Sequence, residues 1–265
     1  MHRSALLLVL FACSNSEPAP LQRSAAPAST DPPVPELTVP YEPQGEKQMM
    51  IDGELAEMQW RTAARTARFV DAGTGAEVPQ GRTRGVVSVF WNAEALYLGF
   101  EVEDKDVRGG FPQDAVDPHL WERDTVEIML DPDGDGDNRD YYEIQVSPQN
   151  LVFDSQFDGY NSPRGGPDGP FGHQDWKSGV VSAVSIHGTI DDASDIDDGY
   201  TVEIALPWSS LTKAKAAPPK PGDTWRANFY AMEDNGGAAW SPILSRGNFH
   251  RALRFGRLHF GPRGS

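Results

Sequence analysis

The sequence predicts an all-β fold, an antiparallel β-sandwich of about ten strands with one or two very short helices. Three observations carry this. Apolar and polar residues alternate with a period of two through successive segments, as strands with one face in a core require. Glycine (26) and proline (22) are plentiful, which favours turns over long helices. Hydrophobic residues make up 38% of the 265, enough for one large core.

The N-terminus stands apart from that pattern. MHRSALLLVLFAC sets Arg3 before a short apolar run and ends on Cys13, which reads as an export signal rather than a structural helix. Leu10-Phe11-Ala12-Cys13 resembles the lipobox of bacterial lipoproteins, which implies acylation of Cys13 as the mature N-terminus. By the same resemblance, Ser14 in place of Asp points to the outer membrane. An exported protein is expected, touching the membrane only through a lipid anchor. Cys13 is the single cysteine, so intramolecular disulfides and multi-cysteine metal sites are excluded. Residues 14–45 are rich in Pro, Ala and Ser and predict a disordered, partly extended tether.

Residues 46–262 predict one domain. Asp52-Gly53 marks a turn, and 54–60 a brief helix with Leu55 and Met58 on one face and Trp60 as anchor. Residues 84–103 predict two strands joined at Asn92-Ala93-Glu94. The clearest hairpin lies within 119–154. Val126, Ile128 and Leu130 share one face of its first strand, with Thr125, Glu127 and Met129 on the other. In its second strand Tyr142, Ile144 and Val146 oppose Tyr141, Glu143, Gln145 and Ser147. The apolar face feeds a core; the other, with Trp121 at its edge, reads as the working surface. A long polar connection at 155–179 precedes strands at 180–190 and 200–206, with a helical turn near 209–211. Residues 225–232 predict a strand presenting Arg226, Asn228, Tyr230 and Met232 on one face, and 253–260 close the domain.

Charge narrows the partners. Lys plus Arg total 23 against 39 Asp plus Glu, a net charge of -16. Such a chain repels phosphate backbones, which argues against nucleic acid and anionic membrane surfaces. Neutral ligands and cations stay open, and a monomer is expected.

Three segments together resemble carbohydrate-binding module family 9, within a wider group of sandwiches that includes DOMON-type modules. They are Ile51-Asp52-Gly53 with Glu57 and Trp60, the run Trp121-Glu122-Arg123-Asp124-Thr125-Val126-Glu127-Ile128 reaching Asp131, and Trp240-Ser241 followed by Phe255-Gly256. Gly199-Tyr200-Thr201-Val202-Glu203 fits as well. The resemblance implies a noncatalytic module that clamps a mono-, oligo- or polysaccharide between two tryptophans, here Trp121 and Trp240. It implies sugar contacts from Glu127 and from the next strand at Gln145, where better-known binders carry Arg. Asn228 is a further candidate on the same face. The chemistry suits a sugar: aromatic rings cover its C–H faces, and carboxylates and amides answer its hydroxyls.

Asp131, Asp133, Asp135 and Asp137, followed by Asp140, crowd one Gly-rich loop. Alternate carboxylates with Gly at the bend can wrap Ca²⁺, a cation the family resemblance also implies; Asp-Gly is equally turn chemistry. The loop is not an EF-hand, because Tyr142 stands where that pattern needs Glu. Two other functions compete. Met129, Met232, His119, His173 and His250 are candidate haem b ligands by the DOMON resemblance. Glu127 and Glu143 could share a face as a hydrolase pair, against which the resemblance to a noncatalytic module argues. A structural envelope role without sugar affinity is the remaining alternative.

Overall fold

Alternation at period two yields thirteen strands among the described residues: β1 (Glu36–Val39), β2 (Ala64–Arg65), β3 (Val70–Asp71), β4 (Arg84–Trp91), β5 (Ala95–Glu103), β6 (Thr125–Asp131), β7 (Tyr141–Val146), β8 (Val152–Phe157), β9 (Val181–His187), β10 (Gly199–Pro207), β11 (Thr224–Glu233), β12 (Gly236–Ala239) and β13 (Gly256–Phe260). The structure is a computed structural model and describes residues 31–43, 49–244 and 249–262. The export signal, Cys13 and residues 14–30 of the expected tether lie outside the described residues. No described helix is long and apolar enough to cross a membrane.

The strands form two sheets. The smaller runs β2-β4-β5-β10-β9. The larger runs β1-β13-β11-β6-β7-β8, with β12 added to β11 and β3 to β12. Val126, Ile128, Leu130, Ile144 and Phe229 of the large sheet meet Val89, Leu98, Phe100, Val202 and Ile204 of the small one in a common core. The apolar face of each predicted hairpin is therefore the inner face of the sandwich.

Three expectations are corrected here. Residues 36–39 were expected in the tether but pair in parallel with β13, Leu37 beside Leu258 and Val39 beside Phe260. Their own alternation supplies apolar side chains to the core and covers the β13 edge. The helix expected over 54–60 is only a 3-10 turn at Met58–Arg61, with Leu55 outside it and Met58 exposed while Trp60 is buried. Further 3-10 turns lie at Trp208–Ser210, near the expected one, and at Leu120–Glu122 and Ala252–Arg254. The outer face of β6 and β7 is not solvated: every residue of both strands is buried. Two loop layers cover it. One packs Ile243, Ala252 and Phe255 over Met129, Tyr230 and Met232; the other packs Leu120, Leu151 and Phe171 over Phe153.

Candidate functional site

Register aligns the floor of the site. Antiparallel pairing sets Tyr230 of β11 opposite Glu127 of β6, Glu127 opposite Gln145 of β7, and Gln145 opposite Phe153 of β8. One register step along, Met129 lies opposite Glu143. These side chains point away from the core, beneath the gap between the two loop layers. The gap is a cavity of about 470 Å³ whose floor holds Glu127, Met129, Glu143, Gln145 and Met232.

Its walls are aromatic. The 3-10 turn Leu120–Glu122 buries Leu120 and thereby presents Trp121. The indole stacks on His119 at 4.6 Å and 16° and meets the edges of Phe153 and Phe171 at 5.3 Å. The other aromatic wall is Phe249, stacked on Tyr230 at 5.0 Å and 10°. Arg164 lies at the mouth, its guanidinium 4.9 Å from the Phe171 ring centre.

The floor holds two carboxyls joined by one amide. Gln145 Nε2 donates to Glu127 Oε2 at 3.1 Å and to Glu143 Oε1 at 2.5 Å. Glu127 Oε1 and Gln145 Oε1 are buried and lack a hydrogen-bond donor among the described residues. Burial, then the neighbouring Glu143, holds the Glu127 carboxyl well above the usual range. Burial pushes Glu143 up to about 7, opposed by the Gln145 hydrogen bond. His250 is driven down to about 3 by burial and then by Arg164, so its imidazole is neutral. Tyr141 Oη accepts Asn161 N–H at 2.9 Å and lies 2.6 Å from His250 Nδ1. In the neutral tautomer that serves every partner, Nδ1 accepts the hydrogen bond donated by the Tyr141 hydroxyl and Nε2–H faces Glu143 Oε2, 3.5 Å away.

Of the residues expected from sequence, Trp121, Glu127 and Gln145 come together in this cavity. Trp240 and Asn228 do not. Trp240 is only 6% exposed; it stacks on Phe229 at 5.3 Å in the inter-sheet core, and Gly256 leaves the room for its ring. Asn228 acts as a strand partner: its Oδ1 accepts Ser241 N–H at 2.9 Å and its Nδ2 donates to Ser241 O at 2.8 Å. It fills the gap where β11 changes neighbour from β13 to β12, and so holds the Trp240-Ser241 segment against the sheet. Phe249 and His250 carried no periodic signal, because they lie in a loop. Glu143 did carry one, since it alternates onto the same face as Gln145.

The acidic loop is separate from the cavity floor. Asp131, Asp133 and Asp135 each bring a carboxylate oxygen within 4.8 Å of the others; Asp137 stands outside this group, and its Oδ1 accepts Arg139 N–H. An all-carboxylate set fits a hard cation such as Ca²⁺. Part of it is also turn chemistry, since Asp131 accepts Gly136 and Gly134 N–H at 3.0 and 3.3 Å. The loop touches the site through Asn138, which donates to His250 O at 2.6 Å and accepts Ala252 N–H. As for haem ligation, both His250 ring nitrogens face protein partners, and His173 Nε2 lies 2.6 Å from Asp158.

The fold has solved counterparts. A carbohydrate binding module family 9 domain from Caldicellulosiruptor kristjanssonii in complex with cellotriose superposes with a TM-score of 0.58 at 16% identity, covering 87% of this chain and 95% of that one. The glucose complex of a family 9 module from the same organism gives 0.57 and 16%, covering 87% and 97%. A protein from Bacteroides uniformis ATCC 8492 gives 0.60 and 18%, covering 86% and 97%. No curated protein matches the chain. At these identities the likeness establishes the sandwich fold. Residues 51–241, from the Asp52-Gly53 turn to Ser241, match the carbohydrate family 9 binding domain-like family, whose modules are noncatalytic, and the chain belongs to that family.

Proposed function

We propose that this chain binds a saccharide in the cavity on the outer face of the large sheet and performs no chemistry on it. The carrying observation is the cavity itself: aromatic walls over a buried floor of hydrogen-bonding groups, in a member of a carbohydrate-binding family. The family 9 structures holding cellotriose and glucose support the reading. The clamp is read as Trp121 with Phe249, since Trp240 is committed to the core. Two rings and a few hydrogen bonds imply affinity of roughly micromolar to millimolar.

Titration calorimetry against a panel of neutral and charged saccharides tests this. Trp121→Ala is expected to weaken binding by about tenfold or more, as loss of one ring contact implies. A folded wild type that binds no saccharide sinks the reading.

Two further proposals concern the chain around the site. Asp131, Asp133 and Asp135 are read as a calcium site that steadies the loop clasping His250. Cys13 is read as the acylated anchor of an exported protein at the outer membrane. Release of Cys13→Ser into the soluble fraction is the expected outcome; continued membrane retention of that variant defeats the anchor.

A further inference from the structure

The cavity floor has an excess of acceptors. Glu127 and Glu143 bring four carboxyl oxygens and Gln145 an amide oxygen, all from residues at most 5% exposed. Among the floor residues, the side-chain donor in use is Gln145 Nε2, already shared by both glutamates. Among the described residues, Glu127 Oε1 and Gln145 Oε1 have no hydrogen-bond partner. Glu143 Oε2 faces His250 Nε2 at 3.5 Å, a long contact for a hydrogen bond. Buried acceptors without donors cost free energy until a ligand supplies the hydrogens.

The kind of donor follows from counting. A sugar hydroxyl brings one hydrogen together with lone pairs that themselves need donors, which this floor is short of. An ammonium brings three N–H groups and no lone pair. It also lets both carboxyls ionise: alone they are held protonated by burial, and an ammonium among them supplies the positive charge that the floor residues do not. His250 is neutral, and Arg164 is exposed at the mouth, over Phe171. The aromatic faces of Trp121 and Phe249 add favourable quadrupoles for a cation beside them.

We infer that the ligand is an amino sugar, a saccharide with a free, protonated amine seated among Glu127 Oε1, Gln145 Oε1 and Glu143. This rests on the carbohydrate reading and names its ligand class.

Calorimetry on the full chain decides it, near neutral pH, where a sugar amine is still largely protonated and its charge can draw the protons off Glu127 and Glu143. The probes are glucosamine oligosaccharides, their N-acetylated counterparts and cello-oligosaccharides of equal length. The free amine is expected to bind about tenfold or more tighter than either neutral series, as a charge-assisted hydrogen bond implies. Glu127→Gln is expected to abolish that preference while keeping wild-type circular dichroism. Because the protein is acidic overall, Glu127→Gln and Trp121→Ala also serve as controls for diffuse attraction: tight amine binding unchanged in both overturns the assignment. Equal or tighter binding of the neutral series also overturns it and leaves the carbohydrate reading standing. Binding of none of the three removes both.

Discussion

Each sheet of this sandwich buries a glutamate on its outer face, and the two glutamates live in opposite circumstances. Glu203 of β10 is fully served. Its Oε2 accepts Asp52 and Gly53 N–H at 2.8 and 2.9 Å, and its Oε1 accepts the Trp60 indole at 2.7 Å. Gly53, at φ +92, makes this approach possible, since a Cβ there would sit 2.7 Å from the Val184 backbone. Glu127 of β6 has the shared Gln145 amide on one oxygen and, among the described residues, no hydrogen bond on the other. Burial pushes both carboxyls upward, Glu203 to about 7. Burial of an acid therefore does not by itself mark a site. What separates a fastening from a binding floor is whether the fold has already supplied the donors.

The sharpest way to break this contrast is through the two tryptophans beside these acids. Trp60→Ala removes a buried indole and a Glu203 donor, and is expected to cost about 3–5 kcal/mol of stability in urea denaturation. Trp121→Ala is expected to cost clearly less stability and to lose saccharide binding. Equal destabilisation by the two would mean that Trp121 is also a core anchor.

The acids themselves come next. Glu203→Gln turns an amide N–H₂ toward existing donors and is expected to cost about 2–3 kcal/mol. Glu127→Gln replaces a poorly served carboxyl that burial already keeps protonated, so stability should hold or rise while ligand binding falls. A Glu127→Gln loss matching that of Glu203→Gln would erase the distinction.

The pH dependence sharpens it further. Glu143 is raised from an ordinary 4.5 to about 7 by burial. Asp124 is raised from 3.8 to about 8 by burial and then by Asp104, against the Arg108 N–H and charge. The folded state thus holds these protons more tightly than the unfolded chain. The associated stability is complete below about pH 4 and is lost as pH rises through roughly 7 to 8. Thermal midpoints should fall by several degrees from pH 5 to pH 9. A midpoint that rises over that interval contradicts the buried, donor-poor acids.

The smallest expected effect is that of calcium. If the cation seats at Asp131, Asp133 and Asp135, excess Ca²⁺ raises the midpoint by a few degrees relative to chelator, as binding to the folded state alone requires. An unchanged midpoint leaves that loop as turn chemistry held by Gly134 and Gly136.

Much of the site floor was legible in the chain. Period-two alternation put Glu127 and Gln145 on one face of a hairpin, and the observed register sets them directly opposite. Trp121 was legible from its place before that strand and from the family motif. The second wall was not. Trp240 lies where β12 gives way to a loop, and nothing local decides which way an indole turns there. Two distant contacts decide it: Trp240 N–H donates to Phe229 O at 2.9 Å, and Asn228 pins Ser241. Those bonds swing the ring inward onto Phe229 and leave the outer face to Phe249, which a hydrogen bond from Asn138 to its neighbour His250 holds near the floor.

The sequence by itself determined the sandwich, its core face and the carboxyl-and-amide row, because strand periodicity is a local property that fixes which side chains share a face. It did not determine that the row would be buried, or which of its acids would lack donors. Loops from residues 119–122, 161–171 and 249–252 roof the sheet, while the 52–60 segment satisfies Glu203 from more than a hundred residues away. Only the tertiary structure could decide these, since a buried carboxyl's donors come from whatever chain folds over it.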